Sequence, residues 1–129
     1  MYKFAAFSLL IFIISGASRL QAQSKPNSLQ GTHWKFYVEA LHDTLTMHVG
    51  ADTTYTTSSS GEMVVRSVSS LRNDTLRLRD VDGEYYCPDG EGVYKVTIEG
   101  DYLNFFLVTD PCQRRSGALN GNRFKKASQ

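Results

Sequence analysis

Hydrophobic and polar residues alternate with a period of two along most of this chain from Thr32 onward. Successive side chains of a β-strand point to opposite faces, so this period is typical of strands that bury one face. Turn-forming Gly, Asn and Asp residues separate the alternating segments, and no segment has a hydrophobic period of 3.6 residues over three turns. The pattern therefore predicts no helix, and it predicts strands at residues 33–41, 43–49, 53–60, 62–71, 75–79, 93–98 and 102–108.

The alternation also predicts which face of each strand is buried. The third segment is rich in Thr and Ser and has only Tyr55 to bury, so we expect an edge strand there. The seventh segment has large apolar residues on both faces, with Phe106 and Val108 opposite the inward set, and we expect it to be covered on both sides. The inward-facing residues predicted for the last two segments are Tyr94, Val96, Ile98, Leu103, Phe105 and Leu107.

The number and spacing of the strands predict the fold class. Seven to nine short strands at intervals of about 8–12 residues indicate an all-β barrel or sandwich. Tight connections such as His42-Asp43 favour sequential hairpins and an up-and-down order. Closure into a barrel removes the exposed edges that an open sheet would present. We therefore predict a small antiparallel up-and-down β-barrel of about eight short strands.

Composition and charge narrow the classes of function. The chain has 129 residues, so it forms one domain at most, and its 12% aromatic residues argue against wholesale disorder. Its 14 basic and 13 acidic residues give a net charge of +1. Nucleic-acid-binding domains carry a strong basic excess, so we expect no nucleic-acid partner.

Residues 1–22 have the organisation of a signal peptide. Lys3 precedes an apolar run over residues 4–17, and cleavage is expected after Ala22. The run is shorter than the roughly 20 residues that span a membrane, although an uncleaved N-terminal anchor is the alternative. We therefore expect a secreted or periplasmic protein without a stable membrane anchor.

Removal of this segment changes the chain that has to fold. Because residues 1–22 carry two cations and no acid, the remaining 107 residues have 12 basic and 13 acidic side chains. Within them we expect a flexible polar lead-in over 23–30, a barrel domain over 31–126 and a tail over 127–129. A chain of this length buries roughly 60–70% of the surface that its unfolded form exposes, so a covalent cross-link would help it.

Cys87 and Cys112 are the only cysteines of the chain. An even number of cysteines behind a signal peptide indicates a disulfide in an oxidising compartment. A redox pair or a zinc site would need Cys-x-x-Cys spacing or further ligands nearby, and the sequence has neither. We therefore predict one structural disulfide, which closes a loop of about 25 residues and contributes about 3–4 kcal/mol in the chain-entropy model.

A series of short motifs runs through residues 29–126. It comprises Gly31-Thr-His-Trp34, Cys87, Gly92-Val93-Tyr94, the turn Gly100-Asp101, Asp110-Pro111-Cys112-x-x-Arg115, and Leu119-x-Gly121 followed by Phe124. The series resembles small secreted bacterial lipocalin-like proteins of the calycin type, with one extra residue before Trp34 and Phe124 where tryptophan is usual. The resemblance implies a compact barrel with one disulfide and no catalytic residues. It also implies that Trp34 closes one end of the barrel, where Arg115 or Arg123 would stack on it.

The barrel interior is the candidate ligand site. A barrel of about eight strands has room inside for side chains or for one small ligand. The candidate ligand-binding residues are Trp34, Phe36, Met47, Leu76, Tyr94 and Phe105. The alternative is that these side chains fill the interior as a packed core, which so short a chain favours.

The sequence contains no complete motif for metal binding or for catalysis. Five carboxylates lie in the irregular segment 80–92, but the calcium-loop spacing is incomplete, so we expect a solvated acidic loop. His33, His42 and His48 lack the i, i+2 spacing of ligands on one strand face, and we expect surface histidines. No nucleophile motif is present and nothing selects a carboxylate pair, so we predict a non-enzymatic protein with no cofactor and no metal.

Two functions are consistent with these observations. The first is an exported lipocalin-like protein, monomeric or weakly oligomeric, that binds a small apolar ligand weakly or serves as a stable scaffold. The alternative is a protein-interaction or inhibitor-like module that docks through the 80–92 loop or an edge strand. An apolar interior cavity of about 300 Å³ or more would favour ligand binding, and a filled interior would favour the scaffold or the docking module.

Overall fold

The computed structural model describes residues 29–128, which form a closed barrel of eight antiparallel strands. The strands are β1 (His33–Val38), β2 (Asp43–Val49), β3 (Thr53–Thr57), β4 (Met63–Arg72), β5 (Thr75–Asp82), β6 (Glu91–Glu99), β7 (Tyr102–Thr109) and β8 (Arg123–Ala127). Each strand pairs with the next, and β8 closes the barrel against β1. The predicted fold class, an all-β antiparallel barrel of about eight strands with one disulfide, is confirmed.

The predicted signal peptide and most of the predicted lead-in lie outside the described residues. At the end of the lead-in, Leu29 is buried in the core, and its carbonyl accepts a hydrogen bond from Thr32 N at 3.0 Å. Within the described part of the chain, no helix is long and apolar enough to cross a membrane.

Short connections impose the up-and-down order. Asn73 joins β4 to β5 and Gly100 joins β6 to β7, with φ of 56° and 60°. A left-handed residue lets the chain reverse direction abruptly, and Gly and Asn adopt this conformation at the lowest cost. Between β1 and β2, a 3-10 turn at Glu39–Leu41 ends at His42, which has φ of 48°. The predicted hairpin is therefore present, but the prediction that its first strand continues to residue 41 is wrong, because the turn spans residues 39–42 and Asp43 already belongs to β2.

Large apolar side chains fill the interior and close the barrel. Phe124 of β8 stacks on Phe36 of β1 with ring centroids 4.1 Å apart, and it lies 4.6 Å from the ring of Phe105 on β7. The ladders of β8 are short, with three residue pairs on each side. Burying one side chain of this size contributes about 1.5–3 kcal/mol, so we infer that the aromatic contacts hold β8 more than its backbone pairing does.

Strand β3 departs from the prediction in two ways. It pairs with both β2 and β4, so it is not an edge strand. Tyr55 is exposed, whereas Thr54 and Thr56 are buried. Thr54 Oγ1 lies 2.8 Å from Ser69 Oγ on β4, so the buried hydroxyls of Thr54 and Ser69 are hydrogen-bonded to each other. The inward face of β3 can be polar because Thr54 and Ser69 form a hydrogen bond with each other inside the barrel.

The prediction that β7 is covered on both faces is wrong. Phe106 and Val108 are exposed, and so is Leu107, which was assigned to the inward face. The β7–β8 ladder covers only Tyr102 to Asn104, so β8 does not flank the second half of β7. Ile98 is exposed as well, because the β5–β6 ladder ends at Lys95 and β5 does not flank the end of β6.

The helix α1 (Gln113–Leu119) contradicts the expectation that the chain contains no helix. It has seven residues, about two turns, which is too short to show a period over three turns. Cys112 is its N-cap, and its two buried residues, Arg115 and Leu119, lie four positions apart on one face. This spacing directs Arg115 from the β7–β8 connection into one end of the barrel.

Candidate functional site

The six candidate ligand-binding residues lie together inside the barrel as part of one packed cluster. They are Trp34, Phe36, Met47, Leu76, Tyr94 and Phe105, each at most 5% exposed. Of the six, only Leu76 lines a cavity of about 120 Å³, whose other walls are Leu29, Gln30, Val49, Gly50, Ala51, Ser69 and Leu71. Ligand pockets usually measure about 300–1,000 Å³, so this interior has the character of a packed core.

One end of the barrel holds a buried ion-pair network. Arg115 donates from Nε and Nη2 to the two carboxylate oxygens of Asp110, at 2.8 Å each. Its Nη1 makes an ion pair at 3.2 Å with Asp80 of β5 but no hydrogen bond, and Nη2 also donates to Gly90 O at 3.0 Å. The three charged side chains are at most 7% exposed. Paired Arg–carboxylate hydrogen bonds are strong and directional, so this network holds α1 to the barrel end.

Asp110 is ionised in this network, whereas Tyr94 keeps its proton. The Tyr94 hydroxyl and Cys112 N both donate to Asp110. Burial raises the pKa of Tyr94, and the hydrogen bond to Asp110 raises it further. Burial alone would raise the pKa of Asp110, but the hydrogen bonds from Arg115, Tyr94 and Cys112 hold it below its ordinary value.

The lowered pKa of Asp110 predicts an acid-sensitive contribution to stability. Its carboxylate stabilises the fold above the unfolded pKa of about 3.9, and that contribution is lost as the pH falls through the lower, folded pKa. Urea unfolding at about pH 7 and below about pH 4 measures how much the free energy of unfolding falls on acidification. This fall should be smaller for Asp110→Asn than for the unmodified protein. Equal losses in the two proteins would contradict this assignment.

The absence of a side chain at Gly92 of β6 makes room for this network. A Cβ atom at this position would lie 2.5 Å from Asp110 Oδ2 and 3.0 Å from Arg115 Nε. Both distances are shorter than normal contacts, so a larger residue would displace the ion pair. The Gly-Val-Tyr motif of the sequence thus corresponds to the close approach of Asp110 to β6.

The predicted disulfide is present and ties the β5–β6 loop (residues 83–90) to α1. Cys87 lies in this loop and Cys112 at the helix start, with Cα atoms 6.2 Å apart. Cys87 N also donates to Asp80 Oδ2 at 2.9 Å, and Tyr85 N donates to a β4 carbonyl at 3.0 Å. The loop is therefore fixed to the helix and to two strands.

Arginines neutralise most of the acidic side chains near this loop. Asp82 pairs with Arg66, Glu91 pairs with Arg77 at 2.9 Å, and Asp80 belongs to the buried network. Three of the five carboxylates considered for calcium are thereby engaged. Among residues 29–128, no group of three or more His, Cys, Asp or Glu side chains is placed to hold a metal ion.

An exposed apolar surface lies on the second half of β7. Phe106 is 51% and Val108 55% exposed, with Leu107 exposed between them, and we call these three residues the apolar strip. Leu107 N donates to Asn120 Oδ1 at 2.9 Å, and the carbonyl of the residue before the strip accepts from Gly121 N at 3.0 Å. These two bonds extend the contacts of β7 beyond its ladder with β8, as far as Leu107 N.

Two cations border the apolar strip. Lys95 of β6 lies directly opposite Phe106 in the strand register. Arg123 of β8 lies opposite Asn104, with its guanidinium 3.7 Å from the ring centroid of Tyr102. Within the described part of the chain, neither Lys95 nor Arg123 belongs to an ion pair. The two strands that flank β7 therefore each contribute a cation near the strip, and the acidic Glu99 lies at the far end of the β6–β7 ladder, opposite Tyr102.

The arginines expected to stack on Trp34 lie elsewhere. Arg123 covers Tyr102, and Arg115 binds the two buried carboxylates. The indole Nε1 of Trp34 donates instead to Thr32 Oγ1 at 2.7 Å. This part of the expectation drawn from the resemblance is wrong for this barrel.

Two histidines that were expected to be scattered meet on the outer face, and we call them the histidine pair. His33 of β1 lies opposite His48 of β2, with their Nδ1 atoms 3.0 Å apart. The His48 ring stacks on Tyr55 at 4.4 Å, and its Nε2 lies 3.1 Å from Thr57 Oγ1. The two histidines lie at equal distances on either side of the β1–β2 turn. The hairpin register could have revealed this contact, whereas spacing along one strand could not.

In comparisons with known proteins, no family model, no curated protein and no solved structure matches the chain. The resemblance to lipocalin-like proteins therefore stays a prediction.

Proposed function

We propose that this chain is an exported, non-enzymatic protein-interaction module that docks on a partner protein through the apolar strip and the β5–β6 loop. The observation that carries this proposal is the exposure of two large apolar side chains two positions apart on β7, Phe106 and Val108, with Leu107 between them also exposed but extending from the opposite face of the strand. Single exposed apolar residues are normal on protein surfaces, whereas contiguous ones are typical of interaction sites.

The β5–β6 loop extends the same surface. β6 begins directly after this loop and pairs with the end of β7 through Val93 and Thr109, so the loop and the apolar strip share one end of the barrel. The loop exposes Tyr85 and Tyr86. Tyrosine offers a large contact area for few rotatable bonds, and a loop already fixed by a disulfide loses little entropy on binding.

The charges around the strip indicate the kind of partner. Lys95 and Arg123 border it, and Arg114 of α1 reaches the Tyr86 carbonyl at 3.4 Å. A partner surface with acidic side chains around an apolar centre would complement this arrangement. A second copy of the chain in a symmetric dimer would bring the same cations face to face, so a different protein fits the surface better.

The packed interior supports docking over the binding of a small apolar molecule inside the barrel. The cavity of about 120 Å³ is smaller than the usual pocket for such a ligand. A panel of lipids and fatty acids tests this alternative function by thermal shift. Because the interior is filled, we expect no change in Tm across the panel.

The proposed location outside the cytoplasm rests on two observations. Residues 1–22 have the pattern of a signal peptide, and Cys87 and Cys112 form a disulfide. Disulfides persist in secreted and periplasmic proteins and are rare in the cytosol. The same bond holds the docking loop, so the proposed function depends on an oxidising compartment.

Substitution of the apolar strip tests the docking proposal. The double variant Phe106→Ser/Val108→Thr should capture the partner from extracytoplasmic material at least about tenfold more weakly, the effect of a central interface residue. Capture is measured by quantitative mass spectrometry, and the affinity is then measured with the purified pair. Tyr85→Ser/Tyr86→Ser measures the contribution of the loop separately.

Val68→Thr is the matched control, because Val68 on β4 is 53% exposed, close to the 55% of Val108. Val→Thr keeps a β-branched side chain at positions 68 and 108, and Phe106 is exposed, so the stability of both variants should change little. Unchanged capture by the strip variant, or equal loss with Val68→Thr, would overturn the proposal. Self-association of the protein, or a ligand-induced rise in Tm, would point instead to a dimer or to internal binding.

A further inference from the structure

The histidine pair places two imidazole nitrogens at the spacing of neighbouring ligands on one metal ion. Metal–imidazole bonds measure about 2.0–2.1 Å, so two such bonds at a right angle put the nitrogens about 2.8–3.0 Å apart. A tetrahedral angle puts them about 3.3–3.4 Å apart. The Nδ1 atoms of His33 and His48 are 3.0 Å apart in a hydrogen bond, whose proton is released to solvent when a metal ion takes its place. We propose that these residues form a two-nitrogen site for a divalent transition-metal ion, with Cu²⁺ preferred.

The barrel wall preorganises this site. The sequence neighbours Trp34 and Met47 are buried and face inward, so His33 and His48 project from the outer surface of β1 and β2. Both side chains are only partly exposed. Because paired strands fix the two backbones, metal binding would need little rearrangement beyond rotation of the rings.

Contacts around His48 set the orientation of its ring. Tyr55 stacks on the imidazole with an interplanar angle of 8°, and Thr57 Oγ1 lies 3.1 Å from Nε2. In the tautomer in which Nε2–H donates to Thr57, the lone pair of Nδ1 is on the side of His33. Hydrogen bonding of the second ring nitrogen is the usual way in which proteins orient a metal-binding histidine.

The donor set selects the ion. Imidazole nitrogens bind Zn²⁺, Ni²⁺ and Cu²⁺ well. Among divalent first-row transition metals, Cu²⁺ generally binds a given site most tightly. Structural zinc sites usually have four protein ligands, whereas no group of three candidate ligands occurs among residues 29–128. Two nitrogens in adjacent positions of a tetragonal Cu²⁺ complex, with water in the others, match the 3.0 Å spacing.

Metal titration of the purified protein, prepared without a histidine tag, tests the proposal. Calorimetry should show one Cu²⁺ bound per chain, more tightly than Ni²⁺ or Zn²⁺, and electron paramagnetic resonance should show coupling to two imidazole nitrogens. His33→Asn and His48→Asn should each weaken Cu²⁺ binding by at least about tenfold, because even loss of a residue that only orients a ligand costs 10–100-fold.

His42→Asn is the matched control. His42 lies in the β1–β2 turn with φ of 48°, a conformation that Asn tolerates well, so this variant should fold and bind Cu²⁺ unchanged.

Thr57→Val should weaken Cu²⁺ binding while keeping the two-nitrogen signal, since Thr57 orients His48 without being a ligand. Retention of full Cu²⁺ affinity by His33→Asn or His48→Asn, or a signal from one nitrogen, would overturn the proposal. Circular dichroism of each variant establishes that it is folded.

Discussion

Replacement of Arg115 by Met should lower the free energy of unfolding by about 3–5 kcal/mol. The change removes the cation that neutralises Asp80 and Asp110, whose side chains are 4% and 0% exposed. Two buried carboxylates would then lack a counter-charge, and this penalty exceeds the loss of the ion pair itself. Urea unfolding measures the free energy, and Tm should fall by more than about 10 °C for a domain of this size.

Arg77→Met is the matched control for Arg115→Met. Arg77 pairs with Glu91 at 2.9 Å, but the two side chains are 52% and 37% exposed. Solvent screens such a pair, so its loss should cost no more than about 1 kcal/mol. Comparable effects of the two substitutions would contradict a special role for the buried network.

A charge-free variant separates the buried charges from the packing of α1. Asp80→Asn/Asp110→Asn/Arg115→Met removes all three charges but keeps side-chain acceptors for Cys87 N and Cys112 N. Buried ion pairs can often be replaced by neutral groups at little net cost, so this triple variant should recover most of the stability lost in Arg115→Met. If it is no more stable than the single variant, the loss comes from packing.

The barrel could be predicted from the sequence because period-two alternation and turn residues act locally. Asn73 and Gly100 adopt the left-handed conformations that reverse the chain, and the inward positions of β6 include Tyr94 and Val96. The predictions of secondary structure and burial failed where contacts between distant parts of the chain determine the structure. Helix α1 is too short to show periodicity, and one of its two buried residues is an arginine whose partners are Asp80 of β5 and Asp110, which follows β7.

The exposed surface was harder to predict than the core. Phe106 and Val108 have the hydrophobicity of core residues, and only the three-pair β7–β8 ladder shows why nothing on β8 flanks them. Hydrophobicity also cannot distinguish a lined pocket from a packed core, since that depends on the volume left between side chains. The contact of His33 with His48 required the hairpin register rather than the spacing along one strand.

Removal of the disulfide should lower the free energy of unfolding by about 3–4 kcal/mol, the chain-entropy value for a loop of about 25 residues. The variant Cys87→Ser/Cys112→Ser and the reduced wild-type protein should agree, because both leave the unfolded chain unconstrained. Urea unfolding with and without reductant measures the loss. Intact mass should rise by about two hydrogens on reduction if one bridge is present, and an unchanged mass would mean that the cysteines are unpaired.

Besides this effect on the unfolded chain, removal of the disulfide should increase local opening of the native protein at one end of the barrel. The disulfide joins the β5–β6 loop to the start of α1, so its removal frees Tyr85 and Tyr86 from the helix while leaving the Phe36–Phe124 contact in place. Hydrogen exchange should therefore accelerate in residues 83–90 and 110–119 more than in β1 or β2. Capture of the partner should weaken as well, because the loop would have to be ordered on binding. If exchange accelerates evenly over the whole barrel, the disulfide acts only on the unfolded chain.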